Sequence, residues 1–498
     1  MMGDKFYEAK PWLHLYDPGQ PAEIVPDFTD ALAMFRAAAA RAPEAPAILY
    51  FDARLSYAEL DRLSDALAAE LEEAGFAPGD RLAVYLQNVP QFPIAVIAAW
   101  KAGGIAVPVN PMNRDREIGI LFDDCTPKAL ICHGSLYEQF VTRLGPERHC
   151  PQVIITTTAA EFQTRNDPRL FNGIHRRVFA GTPDFRDIVE RRAGEKPRAQ
   201  PRYQPGDIAF LVYTSGTTGV PKGATNTHGN VAFNSQTYRE WMKLREGGPI
   251  LGVAPLFHIT GLIGHFGAAL ITAAPLILAF RFEAGVVMDA IAEHKAEFTI
   301  GSITVFIAML NHKEACREKL ATMTKVYSGG APIPPSVVEQ FRATFGHYIH
   351  NGYGLTETNS PILAVPLTRE APVDPVSGAL AIGVPVFNTV ARVCDDEGHD
   401  LPVGEIGEIV ARGPMVVPGY WNKPKESAAA IRGGWLHTGD VGFMDPQGWF
   451  YLVDRKKDMI NAAGYKVWPR EVEDVLYTHR RSARPEWWAR RMSIAARR

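Results

Sequence analysis

The chain has 498 residues, 46% of them hydrophobic, so it can bury a large core divided among several subdomains. Its formal net charge of −3 provides no broad basic field, which argues against nucleic acid as a partner. We therefore expect small-molecule ligands.

Cysteine usage and the first residues indicate a cytoplasmic protein. The five cysteines show neither C-x-x-C spacing nor the density of a disulfide scaffold, which fits a reducing compartment. The first ten residues are charged and lack the apolar segment of a secretory signal. Residues 247–280 carry no formal charge, but their prolines, histidines and glycines favour short buried strands and a buried helix over a membrane span.

The first part of the chain alternates between helical and strand-like segments. Helices are predicted over residues 31–40, 57–74 and 95–102, with short buried strands over residues 81–86 and 105–109. This alternation is typical of a parallel sheet covered by helices on both faces, so the predicted fold class is α/β.

Two changes of style follow along the chain. Residues 164–205 are rich in Arg, Pro, Gly and Asp, and they predict an irregular surface connection that separates two α/β halves. A second alternation of strands and helices covers residues 207–351. Residues 378–440 contain short β-like runs interrupted by Gly and Pro, including residues 405–410, and predict a small β subdomain.

The strongest local signal is Tyr-Thr-Ser-Gly-Thr-Thr-Gly-Val-Pro-Lys-Gly at residues 213–223, directly after an apolar run. Glycines let backbone N–H groups approach an anion, hydroxyls add donors and a lysine adds positive charge, which together favour a polyphosphate ligand. It is not a Walker loop, because Gly223 follows the lysine. An exposed polar linker is the alternative. The candidate binding residues are Thr214, Ser215, Gly216, Thr217, Thr218, Gly219 and Lys222.

This string resembles the signature of the adenylate-forming, AMP-binding superfamily. Strings similar to other motifs of that family follow in its order at residues 255–258, 327–332, 351–357, 435–440 and 451–460, and the resemblance covers roughly residues 28–479. The chain is most like the long-chain fatty-acid–CoA ligases. The resemblance implies a large N-terminal domain of two doubly wound α/β subdomains and a small β-barrel-like subdomain, followed by a truncated, small α+β lid domain.

The resemblance also implies an activity. It is the ATP-dependent ligation of a medium- or long-chain fatty acid to coenzyme A through an acyl-adenylate, with ATP, Mg²⁺ and coenzyme A taking part. Adenylation of another carboxylate, such as an aryl or amino acid, is one alternative, and a non-catalytic nucleotide-binding truncation is another. The string Lys-Pro-Trp-Leu at residues 10–13 resembles the opening of bacterial long-chain ligases and favours a fatty acid. Acyl chain length, oligomeric state and peripheral contact with a membrane stay open.

Motif by motif, the resemblance assigns the nucleotide site. Tyr353 would stack on adenine, and Asn351 or the backbone at Gly352 would read the adenine edge, within the string that continues through Gly354. Thr356 would bond the α-phosphate and Glu357 would hold Mg²⁺, which prefers carboxylate oxygens together with substrate phosphates. Asp440 would accept from both ribose hydroxyls, and Arg455 would contact ribose or phosphate.

The acyl pocket and the lid are assigned in the same way. His258 would wall the acyl pocket near the α-phosphate, although a satisfied core histidine is the alternative. The turn between adenine and acyl pocket would contain Gly329, Gly330, Ala331 and Pro332. Lys457 would be the hinge of the lid and Gly464 would line the pantetheine tunnel of the coenzyme A site.

The family-like sequence stops at residue 479. We expect residues 1–454 to form the AMP-binding domain and residues 455–479 the hinge and the start of the lid. Residues 480–498 are interpreted as out-of-frame, because loss of one C from a GC-rich coding sequence for a family-like continuation gives a translation that matches residues 479–490; a basic amphipathic tail is the alternative. The late lysine of the family's lid is then missing, so we expect ATP binding with weak or absent ligation.

Overall fold

The computed structural model describes residues 6–214, 221–455, 460–462 and 465–467. Up to residue 191 the strands are β1 Pro46–Tyr50, β2 Ala53–Ser56, β3 Arg81–Tyr85, β4 Ile105–Pro108, β5 Ala129–His133 and β6 Val153–Thr157. The helices of this part are α1 Ala31–Arg41, α2 Tyr57–Glu73, α3 Gln91–Lys101, α4 Asp115–Cys125, α5 Gly134–Gln139, α6 Pro168–Phe171 and α7 Phe185–Arg191.

The middle of the chain continues the alternation. Its strands are β7 Ile208–Thr214, β8 Lys222–Thr227, β9 Ile250–Leu251, β10 Leu276–Leu278, β11 Phe298–Gly301, β12 Lys325–Gly329, β13 Ile349–Leu355 and β14 Ser360–Ala364. Its helices are α8 His228–Trp241, α9 Ile259–Gly261, α10 Ala268–Ile271, α11 Ala284–His294, α12 Ile303–Leu310 and α13 Pro335–Phe345, with a π-helical turn Leu262–Gly267 between α9 and α10.

The last part is mostly β-structure. Its strands are β15 Val384–Pro385, β16 Val390–Cys394, β17 Gly407–Arg412, β18 Ile431–Arg432, β19 Trp435–Met444, β20 Phe450–Arg455, β21 Ile460–Ala462 and β22 Tyr465–Val467, with the helix α14 Pro424–Ala430. The short 3-10 helices of the described chain are Pro11–Leu15, Val141–Arg143, Arg317–Leu320 and Thr356–Thr358.

The predicted elements of the first part are confirmed, with one shifted boundary. The helices α1 and α2 and the strands β3 and β4 lie within a residue of their predicted bounds. A capping box explains the sharp start of α2, since Ser56 Oγ accepts from the Glu59 N–H and the Glu59 carboxylate accepts from the Ser56 N–H. The helix α3 begins earlier than predicted because Pro93 falls in its first turn, where proline is tolerated.

Two sheets carry the α/β part of the fold. The first has six strands in the order β6-β5-β3-β4-β7-β8, all parallel except β8. The second has nine strands in the order β15-β14-β13-β12-β11-β9-β10-β1-β2, in which the six from β13 to β1 are parallel. Both sheets match the predicted α/β class, and their parallel strands are buried on both faces as that class requires.

The predicted separation of two halves at residues 164–205 is wrong. The strands β1 and β2 precede this segment but join the nine-stranded sheet, whereas β7 and β8 follow it and complete the six-stranded sheet. The segment also contains the helices α6 and α7, which bury Phe171 and Phe185. A continuously apolar strand sequence does not indicate which strand it pairs with. The sequence pattern therefore could not show this exchange of strands, in which β1 and β2 join the later sheet and β7 and β8 the earlier one.

The small β subdomain predicted for residues 378–440 is confirmed. Its antiparallel sheet has five strands. Four follow the order β16-β17-β19-β18, and the fifth, β20, also pairs with β19. The N-terminal Lys-Pro-Trp-Leu string packs here, because Trp12 is fully buried with its ring 6.1 Å from that of Phe450. Trp12 also covers Gly448, where a Cβ atom would approach its Cα to 2.9 Å. In the structure this string therefore has a packing role.

The uncharged segment at residues 247–280 is divided among short buried elements, as expected. It contains β9, the helical run from Ile259 to Ile271 and β10. Within the described part of the chain, no helix combines the length and the apolar character needed to cross a bilayer.

A buried carboxyl group joins the start of α3 to the loop after β6. Glu161 is 7% exposed, and it accepts hydrogen bonds from Thr157 Oγ1 at 2.6 Å, the Thr158 N–H at 2.8 Å and Gln91 Nε2 at 3.1 Å. Burial outweighs these hydrogen bonds and raises the pKa of Glu161 from 4.5 to about 7.

Stability should therefore fall with rising pH through this group. The folded state holds the proton of Glu161 more tightly than the unfolded chain does. The free energy of unfolding therefore decreases as pH rises from 4.5 to about 7, and the whole loss is present above that range. Replacing Glu161 by Gln should remove this loss and so raise the free energy of unfolding above about pH 7 by up to about 3 kcal/mol. Urea unfolding of both proteins at several pH values measures it: the free energy of unfolding of Glu161→Gln should exceed that of wild type by an amount that grows with pH. Glu397→Gln, in an exposed turn, is the control for the loss of one carboxyl group. A constant difference would contradict the prediction.

Candidate nucleotide site

The predicted site residues gather at one edge of the nine-stranded sheet. The strands β9, β11, β12 and β13 are parallel, so the segments after their carboxyl ends meet at the same edge. These segments contain His258 after β9, the turn at residues 330–332 after β12, and Thr356 and Glu357 after β13. Open α/β sheets bind their ligands at this edge.

The hairpin β7–β8 carries the two ends of the predicted phosphate loop. Thr214 pairs with Lys222 across the hairpin, so both lie at its tip. Ser215, Gly216, Thr217, Thr218 and Gly219 lie outside the described residues. Beneath the tip, Asp124 accepts from the Tyr213 hydroxyl at 2.7 Å and from Lys423 Nζ at 2.6 Å, which anchors the hairpin to α4 and to the segment before α14.

Two buried asparagines hold the turn that carries Thr356 and Glu357. Asn226 on β8 donates to the carbonyl oxygen of Thr356 at 2.9 Å and to Asn359 Oδ1 at 3.1 Å. Asn234 on α8 donates to the carbonyl oxygen of Asn359 at 2.6 Å. Asn359 and Ser360 have φ values of 52° and 79°, a left-handed bend that turns the chain back into β14. The amides fix this bend beside β8.

The side chain of Glu357 lies close to the phosphate hairpin. Its Oε1 accepts from the Tyr420 hydroxyl at 2.6 Å, and its backbone oxygen accepts from the Val417 N–H at 2.9 Å. The Lys222 Nζ lies 4.6 Å from the centre of the same Tyr420 ring. Burial and the neighbouring Glu357 carboxylate raise the pKa of Tyr420, which keeps its hydroxyl protonated as the donor. Lys222 and Glu357 are therefore brought together around one tyrosine.

The predicted adenine and ribose residues are also in contact. The Tyr353 hydroxyl donates to Asp440 Oδ2 at 2.7 Å, and the Asp440 N–H donates to Thr438 Oγ1 at 3.1 Å. Arg455 is paired with Asp440 through the backbone of β19 and β20. The Asn351 side chain is buried and donates to the carbonyl oxygen of Ala381 at 3.3 Å. The amide nitrogen of Asn351 is thus already engaged within the protein.

The residues assigned to the acyl pocket follow β9 and β12 at the same edge of the nine-stranded sheet. His258 is exposed, and its Nδ1 accepts from the Thr260 N–H at 3.2 Å at the start of α9. Gly330, Ala331 and Pro332 are exposed, and Gly330 has φ +77°.

Gly329 has a structural role in addition to the predicted one. A Cβ atom at this position would approach the carbonyl oxygen of Gly352 on the neighbouring strand to 2.5 Å. Only glycine therefore fits between β12 and β13 without moving one of them. Lys457 and Gly464 lie outside the described residues, as do residues 480–498.

Three residues of this arrangement were missed by the sequence reasoning. They are Asn226, Asn234 and Tyr420, each of which binds the turn at residues 356–359 or the Glu357 carboxylate. Asn226 is a fully buried amide in the strand directly after the phosphate string, so its hydrogen bonds must be satisfied inside the protein, but this burial is visible only in the structure. Tyr420, in the string Gly-Tyr-Trp-Asn, is distant in sequence from both of its charged partners and gave no local signal.

The donor set suits Mg²⁺ better than a metal held by protein alone. In the part of the chain that the structure describes, no group of three or more His, Cys, Asp and Glu side chains is arranged to hold a metal ion. Mg²⁺ commonly binds through one or two carboxylates together with substrate phosphates and water. A single carboxylate at Glu357, beside the predicted phosphate hairpin, is compatible with that mode.

This geometry is typical of α/β enzymes that bind a nucleotide at the carboxyl edge of a parallel sheet. Residues 35–421 match the model of the AMP-binding enzyme family. The chain is 34% identical, over 484 residues, to a long-chain-fatty-acid--CoA ligase of Bacillus subtilis (strain 168), covering 94% of this chain and 84% of that protein. It is 33% identical over 435 residues to a feruloyl-CoA synthase of an Amycolatopsis species, covering 87% and 80% of the two chains.

A solved structure shows the same fold. It is the O-succinylbenzoate coenzyme A synthetase MenE from Bacillus subtilis in complex with AMP, with a TM-score of 0.74, 27% identity, and coverage of 90% of this chain and 83% of that chain. The chain belongs to the AMP-binding enzyme family. The family and the fold predicted from the sequence are thus confirmed.

The hold of Asn226 on the turn can be tested by a nearly isosteric change. Asn226→Asp keeps the shape but replaces the amide donor with an oxygen that faces the Thr356 carbonyl, so unfolding should become easier by about 3 kcal/mol. Urea unfolding measures the loss. The exposed Asn172→Asp should change stability by no more than about 0.5 kcal/mol. Equal stability of wild type and Asn226→Asp would show that the amide is dispensable.

Proposed function

We propose that this protein activates a fatty acid as an acyl-adenylate and then transfers the acyl group to the thiol of coenzyme A. In the first step a carboxylate oxygen attacks the α-phosphorus of ATP and pyrophosphate leaves. In the second step the coenzyme A sulfur attacks the acyl carbonyl carbon, the bond to the AMP oxygen breaks, and the thiol proton is released. The predicted acid–thiol ligase class, with coenzyme A as the acyl acceptor, agrees with the names of the relatives.

One observation carries the proposal: Lys222 and Glu357 contact the same tyrosine, and Tyr353, on the same strand as the approach to Glu357, binds Asp440. A positive charge for phosphates, a carboxylate for a divalent ion, an aromatic ring for a base and a carboxylate for a diol are thus brought to β13 and the turn that follows it. Adenylation depends on positioning and charge neutralisation, which such a set of groups can supply.

Each group has a defined part in this proposal. Lys222 holds positive charge at the phosphates, and the carboxylate of Glu357 gives the site its affinity for a divalent ion. When bound, Mg²⁺ would neutralise charge on the phosphate oxygens. The ring of Tyr353 supports adenine, while its hydroxyl holds the Asp440 carboxylate in place for the ribose hydroxyls. Thr356 follows β13 directly and would donate to the α-phosphate.

The fatty acid is supported by the Bacillus subtilis relative, whose name specifies a long-chain fatty acid. Aryl acids are the second candidate, because the Amycolatopsis relative is named for a feruloyl group. Burial of Trp12 in the core weakens the earlier argument from the N-terminal string, since that residue is accounted for by packing against Phe450. The acid must therefore be assigned by binding.

The acid class can be assigned without turnover. Non-hydrolysable acyl-sulfamoyl-adenosines with palmitoyl, decanoyl, feruloyl and anthraniloyl groups should be compared by thermal shift, since a ligand that binds only the folded state raises the melting temperature. We expect the fatty compounds to give the larger shifts. Larger shifts with the aryl compounds would assign an aryl acid, and no shift with any of them, nor with ATP, would contradict adenylation. Because this readout needs no turnover, it is independent of the predicted weak ligation.

The metal role of Glu357 can be tested by exchange. Glu357→Gln keeps the shape and the ability to accept from Tyr420 but removes the charge. Fatty-acid-dependent exchange of pyrophosphate into ATP should therefore fall by at least about tenfold at limiting Mg²⁺. Higher Mg²⁺ should recover part of the rate. Glu397→Gln is the matched control in an exposed turn, and unchanged exchange in Glu357→Gln would remove the carboxylate from the mechanism.

A further inference from the structure

Tyr420 links the two charged groups of the nucleotide site. Its hydroxyl donates to Glu357 Oε1 at 2.6 Å, and its ring face lies 4.6 Å from Lys222 Nζ. Among the described contacts, Lys222 meets this ring and does not form an ion pair with Glu357. Tyr420 therefore contacts the cation through its ring and the anion through its hydroxyl, while the two charged groups are not paired directly.

Backbone pairing fixes the position of this tyrosine. The Thr225 N–H donates to the carbonyl oxygen of Gly419 at 3.0 Å, and the Trp421 N–H donates to that of Gly223 at 2.8 Å, so Tyr420 is held against Ala224 of β8 by a single antiparallel bridge. The Tyr420 N–H donates to Ser427 Oγ at 2.8 Å. Since Val417 also binds the backbone of Glu357, the segment 417–421 holds Glu357 through both its backbone and its side chain.

We propose that Tyr420 is a positioning residue that presents Glu357 to Mg²⁺ and Lys222 to the phosphates. This role rests on the proposed function. A hydrogen bond to Oε1 fixes the plane of the carboxylate and directs Oε2 away from the tyrosine, and partners of this kind strengthen metal binding by restricting the ligand. The ring face attracts the ammonium through a cation–π contact and limits the freedom of a long lysine side chain. Without the ring, Lys222 would form an ion pair with Glu357, and neither charge would then be available to the phosphates or to Mg²⁺.

The two contacts of Tyr420 can be separated by two substitutions. Tyr420→Phe removes the hydroxyl and keeps the ring, whereas Tyr420→Leu removes both. Calorimetric titration of ATP into each protein, without Mg²⁺ and at increasing Mg²⁺, measures metal-free ATP affinity and the apparent affinity for the metal as separate quantities. Neither quantity requires acid, coenzyme A or turnover.

We expect Tyr420→Phe to weaken the apparent Mg²⁺ affinity about tenfold and to leave metal-free ATP affinity unchanged. Tyr420→Leu should also weaken metal-free ATP binding, by roughly threefold. The matched control is Tyr451→Phe, whose hydroxyl donates to a carboxylate, Asp445, at 3.1 Å in the small sheet. This control should change neither affinity.

The outcomes distinguish this role from its alternatives. Tyr420→Phe with the Mg²⁺ dependence of wild type would overturn the proposal while leaving the proposed function intact. In Tyr420→Phe, a parallel loss of both affinities with a lowered melting temperature would also overturn it, because that pattern is expected of a purely structural tyrosine. Failure of wild type to bind ATP would overturn the proposed function and this role together.

Discussion

The position of the site depends on buried backbone carbonyls in the turn after β13. A left-handed bend at the buried residues Asn359 and Ser360 turns the chain back into β14, and the backbone carbonyl oxygens of this turn need donors from the protein. The amides of Asn226 and Asn234 supply the donors, one from β8 and one from α8. Because β8 also carries Lys222, the requirement for satisfied carbonyls sets the relation between the lysine and Glu357. Local hydrogen-bond chemistry in the core thus determines the geometry at the surface of the cleft.

The sequence was sufficient for elements whose signals are local. The helix-favouring residues of α2 and the apolar character of β3 and β4 placed these elements within a residue of their observed bounds. The motif strings also located Tyr353, Glu357 and Asp440, which the structure brings to one region although their assigned ligand roles remain predictions. Residues on one short string keep their relation in three dimensions because a strand or tight turn leaves the backbone few alternatives.

Long-range pairing was beyond the reach of the pattern. Nothing in the residues of β1 indicates that Ile48 will pair with Leu276, since any buried parallel strand presents a similar apolar run. The same limit hid Tyr420, whose partners on β8 and after β13 are separated from it by much of the chain. It also hid the packing role of Trp12, because an aromatic residue near the start of a chain is equally suited to the core and to a ligand.

The exchange of strands between the sheets affects the order in which the molecule can be built. During synthesis β1 and β2 emerge first, but the neighbour of β1 is β10, which leaves the ribosome much later. In the six-stranded sheet, the edge of β4 likewise stays unpaired until β7 has been synthesised. Such distant pairings slow folding and leave apolar edges exposed while the chain grows. Fragments that end before Leu276 would therefore retain an apolar strand without its partner, which favours aggregation.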